Sequence, residues 1–109
     1  MRRHGDRVFL TADEAIGLLP ENPHTFRGGL PMLIGADCTP ERAAELLRDA
    51  TWVELSGPGT TRMGHGLTLW WLDEERKHYT DGLAMSTDAD KLAVLVAESA
   101  KLEDGGLPT

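Results

Sequence analysis

Cysteine occurs once in these 109 residues, at Cys38, so no internal disulfide can staple the fold. A reducing, intracellular setting is the simplest fit. Aromatic residues are sparse as well, at 6% of the chain. No apolar run reaches the roughly 18 residues that a membrane-spanning helix needs, so no membrane partner is expected. The basic opening stretch MRRHGDRVFL has no apolar region ahead of its first strand-like segment, and a secretory leader is not expected. Internal repeats, low-complexity tracts and internal linkers are also missing. Cations are the scarcer charge, 11 Lys+Arg against 18 Asp+Glu, for a net charge of -7. That balance argues against direct nucleic-acid binding by the body of the domain, which needs a basic stripe to neutralise phosphates. It suits a partner with a basic surface, although net charge also simply keeps a small protein soluble.

What is present is an ordinary globular composition, 40% hydrophobic and 27% charged, in a chain the size of one domain. A chain of this length buries roughly 60 to 70% of its unfolded surface, enough for one core. Residues 1–6 read as a loose N-terminal arm, 7–102 as the domain and 103–109 as a flexible tail. RVFLT (7–11) is strand-like, and Thr11 with Glu14 forms a capping box for a helix to about Leu19, which Pro20 stops. HTFR and MLIGA are strand-like runs around Gly28-Gly29, a hairpin pattern. Thr39-Pro40-Glu41 opens an amphipathic helix, with Ala43, Leu46, Leu47 and Ala50 on one face. WVELS (52–56) and GLTLWWL (66–72) are strands, DEER (73–76) a hairpin loop into KHYT, and Asp81-Gly82 a further turn. Thr87 caps a last helix through about Leu102, whose LAVLVA stretch is apolar almost all round. That helix should be well buried or should meet a second subunit, so a homodimer through it is one expectation. Together these elements predict a single α+β domain with a mostly antiparallel sheet and two to three packed helices.

The stretch GPGTTRMGHG (57–66) has the glycine spacing of a phosphate loop but not its chemistry. Lysine and a hydroxyl should follow the second glycine, and a helix should come next. His65, Gly66 and a strand stand there instead. The stretch reads as a wide loop between strands that offers Arg62 and His65 to a partner. Cys38, just before a helix cap, could act as a nucleophile with His65 or His24 as base, the pattern of a small enzyme. A buried or half-buried inert thiol is the better explanation, because one cysteine and four histidines meet that condition by chance in many small proteins. His4, His24, His65 and His78 lack zinc-ligand spacing, and Asp88 and Asp90 match a calcium loop in two letters only. No cofactor and no metal is therefore expected.

The acidic run Asp73-Glu74-Glu75, with Asp81 shortly after, lies beside Trp70 and Trp71. One strand cannot point both tryptophans the same way, so one should fill the core and the other face outward or lie under a helix. An exposed tryptophan, taken here as Trp70, rimmed by these carboxylates has the make-up of a protein-binding hot spot.

Two blocks, HTFRGGLPMLIGAD (24–37) and ELSGPGTTRMGHGL (54–67), resemble small uncharacterised proteins carried by prophages and other mobile elements of bacteria. The resemblance implies an accessory protein of a bacterial cytoplasm. Such proteins often bind and block a host protein, and anti-CRISPR inhibitors are one such class, here by analogy alone. The expected function is non-catalytic binding of a basic host protein, with an acidic surface inhibiting a nucleic-acid-binding complex. The small enzyme using Cys38 and a homo-oligomeric structural protein are the alternatives.

Overall fold

The computed structural model describes residues 1–19, 32–33, 36–56, 65–75, 77–85 and 87–107. Seven strands form one antiparallel sheet: β1 (Arg2–His4), β2 (Arg7–Leu10), β3 (Met32–Leu33), β4 (Ala36–Asp37), β5 (Trp52–Ser56), β6 (His65–Leu72) and β7 (His78–Met85). Their spatial order is β1-β2-β5-β6-β7-β3-β4. Helices α1 (Ala12–Ile16), α2 (Pro40–Asp49) and α3 (Ala89–Ser99) complete the α+β domain. HTFR and the Gly28-Gly29 hairpin lie outside the described residues.

Strand alternation sorts the sheet into two faces. Val8 and Leu10 of β2, Val53 and Leu55 of β5, Leu67 and Leu69 of β6, and Leu83 of β7 share one face and are buried. Ala15 and Leu18, Ala43, Leu46 and Leu47, and Leu92 join the same cluster, so all three helices cover this side. Each fully buried Leu or Val contributes roughly 1.5 to 3 kcal/mol of transfer free energy. The opposite face carries Arg7, Phe9, Glu54, Thr68, Trp70 and Thr80.

Local signals explain most element ends. The backbone N–H of Glu14 donates to Thr11 Oγ1, and that of Thr11 donates to Glu14 Oε1, the expected capping box. Burial pushes the Glu14 carboxyl up, but hydrogen bonds from the amino terminus and Thr11 outweigh it and hold the group below its ordinary value. α1 ends at Ile16 rather than near Leu19. Leu18 and Leu19 then make tighter bonds, to the carbonyls of Ala15 and Ile16. Thr39 caps α2 with Pro40 in its first turn, as its sequence requires.

Four local expectations are corrected. The stretch 1–6 contains β1, paired with β2 through a two-residue turn in which Gly5 takes φ 61°, a conformation glycine adopts without strain. MLIGA is not one strand: β3 and β4 fold back on each other within it. Asp81-Gly82 is no turn, because β7 runs through it, pairing Leu69 with Asp81 and Thr68 with Gly82. Asp88, not Thr87, caps α3, its carboxylate accepting from the backbone N–H groups of Asp90 and Lys91.

Candidate protein-binding surface

β6 and β7 form the longest hairpin, and its closed end carries the chemistry. Leu72 pairs with His78 and Trp71 with Tyr79, leaving residues 73–77 to make the turn. The N–H of Asp73 donates to the Lys77 carbonyl at 3.2 Å, and the Lys77 N–H donates to Asp73 Oδ1 at 2.8 Å. Asp73 therefore fastens the turn. Glu75 pairs with the Lys77 ammonium at 3.0 Å. Glu74 and Asp81 are exposed and have no ion-pair partner among the described residues.

The aromatic beside these carboxylates is Tyr79, which is 56% exposed. Its ring stacks on Trp71 with centroids 5.5 Å apart and planes 11° from parallel. Trp71 in turn packs against the core cluster. Alternation along β7 puts Asp81 on the face of Tyr79. A stacked pair thus stands near the turn, with the exposed Asp81 two residues along.

Trp70 lies on the other face. Its ring meets Phe9 edge-on at 5.4 Å and His78 at 4.9 Å. The Arg7 guanidinium lies 5.2 Å from the Phe9 centroid and 5.9 Å from that of Trp70. Arg7 also donates twice to the Glu54 carboxylate, at 2.7 and 2.8 Å, and this pairing raises its pKa above the ordinary value. The buried Trp70 Nε1 has no hydrogen-bond partner. Such an orphan costs roughly 1 to 3 kcal/mol, so among the described residues the indole is held by ring contacts rather than by a hydrogen bond from Nε1.

The seven expected binding residues therefore divide. Asp73, Glu74 and Glu75 lie in the turn and Asp81 lies in the fourth pair from it, opposite Leu69, whereas Trp70 sits on the opposite face from Asp81. His65 begins β6 with its backbone opposite Met85. Arg62 lies outside the described residues. Sequence reasoning weighed both Trp70 and Trp71 but did not name Tyr79, the exposed aromatic. Centring the hairpin on 73–77 sets Tyr79 opposite Trp71, and that register was the signal available.

Cys38 follows β4 and is half-buried against the core. Gly66, Ala84, Met32 and Asp37 are successive partners across β6, β7, β3 and β4. Three inter-strand spacings therefore separate the backbones next to His65 and Cys38, about 14 Å. His24 lies outside the described residues.

Among the described residues, no cluster of three or more His, Cys, Asp or Glu could hold a metal ion. No helix among them is long and apolar enough to cross a membrane. No family model, no curated protein and no solved structure matches the chain.

Proposed function

We propose that this protein is a non-catalytic binding domain that docks a basic surface of another protein through the closed end of the β6–β7 hairpin. The observation that carries this reading is the exposed Tyr79 ring, stacked on Trp71 near exposed Glu74 and Asp81, which have no ion-pair partner among the described residues. Rigid aromatics supply contact area at low entropic cost, and surrounding charge steers the encounter and selects the partner. Asp73 and Glu75 contribute less, because the turn and Lys77 already engage them.

The resemblance to prophage-borne proteins extends the reading to a bacterial host. There the acidic face would occupy a groove that otherwise takes phosphates, blocking a host nucleic-acid-binding complex in the cytoplasm. The test is affinity capture from bacterial lysate with the wild type, a Glu74→Gln/Asp81→Asn variant and a Tyr79→Ser variant. Partner affinity should fall steeply with added salt and drop at least about ten-fold in the double variant. Unchanged capture by both variants at low salt would sink the reading.

A further inference from the structure

The far face of the sheet holds a template for what the hairpin end accepts. There the Arg7 guanidinium lies 5.2 Å from the Phe9 ring centroid while its edge donates to Glu54 at 2.7 and 2.8 Å. Phe9 and Glu54 are directly opposed on neighbouring strands. An aromatic ring and a carboxylate on one pleated surface thus form a seat for a guanidinium. The guanidinium carbon stands over the ring, and two N–H groups meet both carboxylate oxygens.

The same two groups recur on β7, with no cation on them among the described residues. Tyr79 and Asp81 share one face of β7, roughly 6 to 7 Å apart along the strand. Both are exposed, and Tyr79 is already held flat against Trp71. Lys77, the cation in the described part of the turn, is taken by Glu75.

We infer that this end of the hairpin is an arginine-binding site: a guanidinium from the partner protein stacks on Tyr79 and is held at its edge by Asp81, with Glu74 adding charge. The inference rests on the docking reading above and names the group that docking selects. Arginine fits better than lysine because its planar fork satisfies ring and carboxylate together, whereas an ammonium is a compact, strongly hydrated point charge. One exposed cation–π contact is worth only a few-fold in affinity, so the occupant is an arginine carried on a larger protein surface rather than the free amino acid.

Fluorescein-labelled octa-arginine and octa-lysine, equal in charge, separate the possibilities by anisotropy titration at low salt. The full chain is compared with Tyr79→Ser, Tyr79→Phe and Asp81→Asn, each checked for unchanged circular dichroism. The wild type should bind octa-arginine about five-fold more tightly than octa-lysine. Tyr79→Ser should abolish that preference and Tyr79→Phe should keep it. Asp81→Asn should weaken octa-arginine more than octa-lysine. Equal wild-type affinities, or a preference that survives Tyr79→Ser, would overturn the arginine seat while leaving an acidic docking face standing. No binding of either peptide at low salt would overturn both.

Discussion

Asp104 shows how much one residue can organise. Its carboxylate accepts from the backbone N–H of Gly5 at 2.9 Å and of Gly106 at 3.0 Å, and it meets His4 Nδ1 at 3.1 Å. Those two backbone donors, and then His4, hold the carboxyl well below the usual carboxylate range. In the unfolded chain an aspartate titrates near about 4, so the unfolded state takes up a proton first as pH falls. The stabilising contribution is therefore complete above that range and is lost progressively as the solution is acidified through and below it. Urea midpoints for the wild type and Asp104→Asn should differ most at pH 6 to 7, about two units or more above that aspartate value. The gap should narrow below about pH 4. A gap constant with pH would mean that Asp104 acts through neutral hydrogen bonding only.

At the scale of the element, short-range signals decided the helix starts and long-range pairing decided the strands. Thr11 and Glu14 name the start of α1 in sequence and in structure alike. Because α1 has only five residues, it cannot nucleate unaided, and its cap carries a large share of its local stability. Thr11→Ala should cost about 1 kcal/mol in urea denaturation, since it leaves a helix N–H without its acceptor and frees Glu14 from its reciprocal bond. A loss below about 0.3 kcal/mol would show that packing of Ala15 and Leu18 fixes the helix without its cap. The strands tell the opposite story. Asp81-Gly82 has the residues of a turn, yet it sits inside β7 because eight successive pairs with β6 outweigh two residues' preference. β1 was illegible for a similar reason. Arg2, Arg3 and His4 have no apolar alternation, and their strand exists because β2 pairs on one side and Asp104 bridges on the other. The candidate site was half legible. Its carboxylates stood out as an acidic run, but which aromatic joined them depended on the register of the hairpin. That register moves Trp70 to the far face and brings Tyr79 to Trp71.

Across the whole molecule the two ends of the chain come together. The arginine-bearing N-terminus lies against the acidic C-terminal segment: Arg3 donates twice to the Leu102 carbonyl, at 2.9 and 2.7 Å, and Arg2 donates to that of Gly105 at 3.1 Å. The two ends of the chain thus close one edge of the sheet, and α3 is anchored just before this clasp. α3 buries Leu92 and Ser99 and rests Leu95 and Val96 on the core. Its apolar LAVLVA stretch is thus largely spent inside the domain, with Val94, at 59% exposed, its one large outward apolar side chain. Ala93, Ala97, Asp90, Lys91 and Glu98 share the exposed surface of the helix. A stable two-fold interface buries about 1,200 Å² or more around an apolar centre, and one valine among alanines and charges does not supply that. A contact between two copies through α3 is therefore not the expected outcome. In sedimentation velocity across a hundred-fold concentration range, Val94→Asp should match the wild type at every concentration. A wild-type dimer that Val94→Asp converts to monomer would instead assign α3 to an interface between two copies. The acidic hairpin would then have to act from within an assembly rather than from a lone domain.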